Sequence, residues 1–272
     1  AVCIGLRPEH VFMVGLYLLL FFAGKTTRKL AVALLPFALF GISYDWMRVF
    51  PNYEANSIDV ENLYNLEKSL FGINAIHNCR IADILAGIFY LCWVPVPIAF
   101  GLWLYLKGYR NLYLHFSMVF LFVNLIGFAG YYLHPAAPPW YAINYGFEPI
   151  LDTPGNVAGL GRFDTLTGLS IFDSIYGRNA NVFAAVPSLH AAYMVVALCY
   201  AIVNKCNKFV IILFAIIMAG IWGTAVYTSH HYIIDVTLGI CCALLGILLF
   251  EKGLMKTGWF KNFFNRYYNY IK

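Results

Sequence analysis

Seven apolar stretches, most of them separated by short polar turns, constrain what this 272-residue chain can fold into. They fall at about 9–24, 30–50, 82–106, 111–133, 186–204, 208–228 and 231–250. A helix needs roughly 20 apolar residues to cross a hydrocarbon core about 30 Å thick, and most of these stretches are near that length. Inside such a core each backbone N–H and C=O must be satisfied within its own segment, which selects helices. Composition agrees, at 61% hydrophobic and 11% charged residues, where a soluble domain carries about 25% charged. The reading is all-α: a polytopic membrane helical bundle of six to seven transmembrane helices, a single integral domain over 1–272. Residues 11–24 lack a small-residue cleavage site after them, so they read as a retained membrane segment rather than a signal peptide.

The connections carry further information. Residues 51–80 hold Glu54, Asp59, Glu61 and Glu67, with Leu63, Leu66, Leu70 and Phe71 at helical spacing. That pattern predicts a helix lying on the membrane surface, so residues 1–80 form N-terminal helices and an interfacial segment. Pro95 and Pro97 should bend the stretch 82–106. A long loop over about 134–182 is rich in Gly, Pro, Asn and Asp, and the tail 251–272 is basic and aromatic. With seven crossings, the turns 25–29, 107–110 and 205–208 share one side with the tail. Together they hold most of the 18 Lys and Arg and one acid, Glu251. That side reads as cytoplasmic, which leaves the 134–182 loop facing the periplasm or the Golgi lumen. The net charge of +5 lies in these turns rather than on one polar face, so no nucleic acid partner is expected. The seven cysteines show no metal spacing and read as small core residues.

Three ionisable residues stand out within the core region 81–250. His190 follows Pro187-Ser188-Leu189 at the start of one apolar stretch, and His230-His231 precede Asp235 at the start of another. The intervening stretches form a hairpin that returns to the same membrane edge. On a helix starting near 230, His231 and Asp235 lie one turn apart on one face. A carboxylate there can hold one imidazole proton and leave the other nitrogen as a base or nucleophile. The free N–H groups at the start of the His190 helix form an anion site. A phosphate held there would lie between His190 and His231, one to attack and one to protonate. Imidazoles and helix-end N–H groups supply acid, base and anion binding, so no metal or cofactor is called for. His134, His190 and His231 all map to one edge rather than facing each other inside the bilayer, which argues against a haem site.

These motifs resemble the type 2 phosphatidic acid phosphatase superfamily, whose middle motif reads Pro-Ser-x-His and whose last ends His-x-x-x-Asp. The resemblance implies a six-helix phosphatase-like core, a phosphohistidine at His231, orientation of that ring by Asp235, and His190 as acid and base. The superfamily's phosphatases carry Lys-x6-Arg-Pro and a Ser-Arg pair ahead of the nucleophile. Here the last two positions are Thr224 and Ala225, and Lys-x6-Arg-Pro does not occur. Ala137-Pro138-Pro139-Trp140, Arg162-Phe163-Asp164, Pro187-Ser188-Leu189-His190 and His230-His231-Tyr232 are instead similar to the inositol phosphorylceramide synthase branch, the aureobasidin targets.

That branch implies a membrane lipid phosphotransferase moving a phosphoinositol headgroup from a phosphoinositide to a ceramide-type lipid. A hydrolase on the same scaffold is the alternative. The catalytic candidates are His231, His190 and Asp235. The candidates for substrate contact are Ser188, Arg162, Arg178, His230, Trp140 and Asp83. Arg162 and Arg178 are the basic side chains of the 134–182 loop, and a phosphodiester, with one negative charge, needs fewer cations than a phosphomonoester. Whether a protein partner exists is left open.

Overall fold

A computed structural model describes residues 8–72, 79–177 and 181–272. Its fourteen named α-helices among those residues are α1 (Pro8–Ala23), α2 (Lys25–Ala33), α3 (Leu35–Trp46), α4 (Glu61–Leu70), α5 (Arg80–Tyr90), α6 (Pro95–Leu106), α7 (Arg110–Leu133), α8 (Pro139–Tyr145), α9 (Gly161–Thr167), α10 (Ile171–Tyr176), α11 (Leu189–Val203), α12 (Lys208–Tyr227), α13 (Ile233–Leu248) and α14 (Gly258–Ile271). The all-α expectation holds, and no strand forms among the described residues. Four helical stretches are long and apolar enough to cross a membrane: Arg80–Leu106, Arg110–Leu133, Lys208–Tyr227 and Ile233–Lys256. The pair α2 and α3, bent by 46°, makes a fifth if the two count as one broken span. His10–Ala23 and Leu189–Val203 are apolar but shorter. Each of the seven apolar stretches is therefore helical, and the chain is an integral membrane protein.

Local chemistry explains where the boundaries differ from the sequence pattern. Lys25-Thr26-Thr27-Arg28-Lys29, expected as a turn, already belongs to α2. The break falls at Gly24, and Arg28 Nε reaches back to cap Phe21 O at 3.0 Å, satisfying a carbonyl that the end of α1 leaves open. The prolines interrupt the helix between Tyr90 and Pro95, where α5 ends and α6 begins with Pro95 at its start, although Arg80–Leu106 still forms one stretch. The basic tail is a docked helix: Phe260, Phe264 and Ile271 of α14 are buried, and Tyr267 Oη donates to Val32 O at 2.5 Å.

The surface helix α4 also differs in which face turns inward. Leu66, Leu70 and Phe71 are exposed, whereas Leu63 and Glu67 are buried. Its apolar stripe is thus free to face lipid while an acid points into the protein. The loop 134–182 is not structureless. It folds into α8, α9 and α10, and Ala136 pairs with both Asp59 and Ala184 through isolated β-bridges. Asn52, wholly buried, donates to Tyr131 O and Phe183 O, both at 2.8 Å, and holds this layer against α7.

α11 lies at the centre, packed on α7, α12 and α13. Small residues permit the approach, as they do in membrane bundles where backbones must come close. The basic turns gather at one end of the bundle, where Lys29 Nζ donates to Lys272 O at 2.5 Å and one cavity is lined by Arg110, Lys205 and Tyr268. The starts of α11 and α13 lie at the opposite end. Gly239 is the tightest contact between them: a Cβ there would sit 2.1 Å from Ser188 O. Gly239→Ala should therefore cost about 1–3 kcal/mol through overpacking and lower the thermal unfolding temperature in detergent. Gly223→Ala, which meets nothing within 4 Å, should leave it unchanged; equal effects would contradict this packing.

Candidate active site

Asp235 is the third residue of α13, and its Oδ2 accepts the Tyr232 N–H at 2.9 Å as a helix cap. His231 lies just before the helix rather than on it, yet its Nδ1 is 3.3 Å from the same Oδ2. The pair thus meets through the cap, not through the helical i, i+4 spacing. Backbone bonds aim the histidine: His230 N and His231 N both donate to Ala225 O at 3.0 Å, closing the turn after α12. Ser229 holds a left-handed backbone (φ 59°) within that turn.

Ser188 caps α11, its Oγ accepting Ala191 N–H at 3.4 Å, and Ser188 N–H donates to Asp235 O at 3.0 Å. His190, on the first turn above this cap, places Nδ1 3.1 Å from His231 Nε2. Trp93 packs on the His190 ring at 4.2 Å between centroids and Tyr90 stacks on it at 5.1 Å. Proton bookkeeping follows from the carboxylate. Asp235 Oδ2 accepts, so His231 carries its proton on Nδ1 and its Nε2 is bare. The proton between the two rings then belongs to His190 Nδ1. A nucleophilic lone pair and a transferable proton stand at one point, buried by aromatic rings. This arrangement can perform nucleophilic substitution with acid–base assistance.

The other described candidates fall into three groups. Asp83 is buried and paired with Arg162, Oδ1 to Nε at 2.6 Å, and accepts from Tyr227 Oη at 2.9 Å. Arg162 also lies over the Tyr227 ring at 5.0 Å, so Asp83 is an ion-pair partner rather than merely a helix N-terminal acid. Gly159 N–H donates to Thr228 O at 3.0 Å and a Cβ on Gly159 would touch both Thr228 Cα and the Arg162 guanidinium. This places the cation beside the turn that carries His231. Trp140 is buried and its backbone N–H donates to Ser229 O at 3.0 Å, so it clamps the same turn from α8. His230 is buried between Tyr90 and Tyr176, and burial, with His231 next, pushes its imidazole down to about 3, so it is neutral. Arg178 lies outside the described residues. Among the described residues no cluster of three His, Cys, Asp or Glu is placed to hold a metal.

Glu67 is the residue that sequence reasoning missed. Its carboxylate oxygens accept Ile233 N–H at 2.8 Å and Ile234 N–H at 3.2 Å, so α4 caps the start of α13 next to His231 and Asp235. In the sequence it is one acid among four in a polar segment; the sole clue is that it shares a face of α4 with Leu63 and Tyr64-side packing rather than with Glu61. Charge-assisted bonds of this kind contribute about 1.5–3 kcal/mol together. Glu67→Ala should speed hydrogen exchange at the Ile233 and Ile234 amides by about tenfold or more, since each 1.4 kcal/mol is a factor of ten. Unchanged exchange would remove the cap from this account.

Comparison with known proteins agrees with the geometry. The sequence profile described as PAP2 superfamily matches residues 60–249, which include every element of the site. The chain is 73% identical to a phosphoinositol dihydroceramide synthase of Bacteroides thetaiotaomicron, over 100% of this chain and 93% of that protein. It is 30% identical to an inositol phosphorylceramide synthase of Candida albicans, over 72% of this chain and 42% of that protein. The catalytic subunit of the Saccharomyces cerevisiae inositol phosphorylceramide synthase is 28% identical over 74% of this chain and 51% of its own length. The chain thus spans about half the length of these fungal relatives and nearly all of the bacterial one. No solved structure matches it. With its His190, His231 and Asp235 set at one helix junction, the chain belongs to the PAP2 superfamily, in the branch of the inositol phosphorylceramide synthases.

Proposed function

We propose that this chain is a sphingolipid synthase that moves a phosphoinositol headgroup from a phosphoinositide to a ceramide-type lipid through a phosphohistidine on His231. The observation that carries the mechanism is the 3.1 Å contact between His190 Nδ1 and His231 Nε2, backed by Asp235. The two rings part to admit the phosphodiester. His231 Nε2 forms a bond to phosphorus as the bond to the diacylglycerol oxygen breaks, and His190 Nδ1 gives that oxygen its proton. His190 then takes the proton of the incoming lipid hydroxyl, whose oxygen displaces His231 from phosphorus. Asp235 holds the His231 Nδ1–H throughout and balances the imidazolium charge. The charge balance supports a diester substrate. Arg162 already shares its charge with Asp83, and a monoanion asks less of the site than a dianion.

The basic turns and α14 lie on the cytoplasmic side in this reading, by the positive-inside bias, and the histidines face the periplasm or lumen. In a cysteine-free background, Asp152→Cys should react with an impermeant maleimide on intact cells and Lys208→Cys only after lysis. The reverse pattern would invert the topology.

Activity is tested with purified protein in detergent given a phosphoinositide, with and without dihydroceramide. Phosphoinositol dihydroceramide should form only with the acceptor present. His231→Ala and His190→Ala should lower turnover by about 10³-fold or more at unchanged unfolding temperature, as removal of such groups does elsewhere, while Asp235→Asn leaves a measurable remainder. Headgroup release at the same rate without dihydroceramide would make the chain a hydrolase.

A further inference from the structure

His230 is chemically distinct from its neighbour. Thr228 Oγ1 lies 2.7 Å from Thr224 O and 2.9 Å from His230 Nδ1. A carbonyl cannot donate, so the one hydroxyl hydrogen of Thr228 lies toward Thr224 O. His230 must then supply the other hydrogen from Nδ1. This fixes the tautomer: His230 Nε2 is a bare acceptor, and it is buried with no hydrogen-bond partner among the described residues. The Tyr90 hydroxyl is buried as well, with the Tyr176 hydroxyl beside it donating to its oxygen, so its own hydrogen remains to give. The Tyr90 ring packs on both His190 (5.1 Å) and His230 (5.6 Å), so this hydroxyl and the unpaired His230 nitrogen belong to the same aromatic box beside the reacting nitrogens. A buried acceptor left unsatisfied is rare and calls for a partner.

A phosphoryl oxygen cannot satisfy a bare nitrogen, because it has no hydrogen to give. A hydroxyl can, donating to His230 Nε2 while accepting from Tyr90 Oη. Building on the transfer reaction proposed above, we infer that His230 Nε2 and Tyr90 Oη form a polyol subsite that binds a headgroup hydroxyl flanking the phosphoester carbon. Its neutral lone pair holds that hydroxyl and does not deprotonate it. The subsite selects a cyclitol headgroup over one with no hydrogen-bond donor at that position, such as choline. A site built around a substrate hydroxyl rejects an analogue without it strongly, because its own polar groups are then left unpaired.

The test uses the whole protein in mixed micelles, with dihydroceramide as acceptor. The donors are phosphatidylinositol and analogues lacking one or the other hydroxyl beside the phosphoester carbon. Product from phosphatidylinositol with wild-type protein checks the underlying reaction; its absence would sink that reading and this one together. Given product, wild-type kcat/KM should fall about a hundredfold or more for one deoxy analogue. His230→Leu should take both donors within about threefold of each other, and His230→Gln, whose Oε1 can accept, should restore part of the preference. Their unfolding temperatures, compared with wild type, show that both variants are folded. Undiminished discrimination in folded His230→Leu, or none in wild type, would overturn the subsite. It would also fall if His230 variants altered the response only to an acceptor lacking its non-reacting hydroxyl.

Discussion

The Ser188 N–H to Asp235 O hydrogen bond is the tie on which the site depends. It locks the start of α11 against the first turn of α13, and Gly239 lets the two backbones meet without a side chain between them. With the two helix ends fixed, His190 and His231 meet at hydrogen-bond distance although they are 41 residues apart in the chain. A slip of one residue in this register would carry the His190 ring about 100° around its helix and part the pair. The rest of the membrane-edge architecture can be understood as bracing for this junction. Trp140 and Gly159 hold the turn before His230, Glu67 caps the turn after it, and the Asn52 bonds press the loop layer onto α7.

The site economises on formal charge. Where resembling phosphatases carry a Ser-Arg pair, this chain has Thr224 and Ala225, and both contribute backbone carbonyls to organise the histidine turn. Among the described residues Arg162 stands beside that turn, with Asp83 as its counterion. Such a site suits a monoanionic diester surrounded by aromatic rings. Tyr90, His230, His231 and Asp235 are all buried around it.

Much of this was legible from residues alone, for identifiable reasons. The lipid environment forces helices, so apolar length located all seven helical stretches, and the histidine motifs fell at the ends of stretches expected to return to one edge. Helix capping and side-chain orientation were less legible. The acids of 51–80 looked interchangeable, yet only the fold reveals that Glu67 turns inward while Leu66 and Leu70 turn out. Asp235 was matched to His231 by spacing, but the contact arises from a capping carboxylate shared with Tyr232 N–H. Asp83 and Arg162 are 79 residues apart, and neither periodicity nor composition joins them.

The central claim is that His231 Nε2 becomes bonded to phosphorus. The direct measurement is to mix the protein with a radiolabelled or isotopically marked phosphoinositide without acceptor, quench, and map the adduct by mass spectrometry. An acid-labile, base-stable phosphoinositol group on His231 is expected. It should disappear when dihydroceramide is added and be absent from His231→Ala. Transfer at the wild-type rate with no adduct on His231, or an adduct on another residue, would contradict the account.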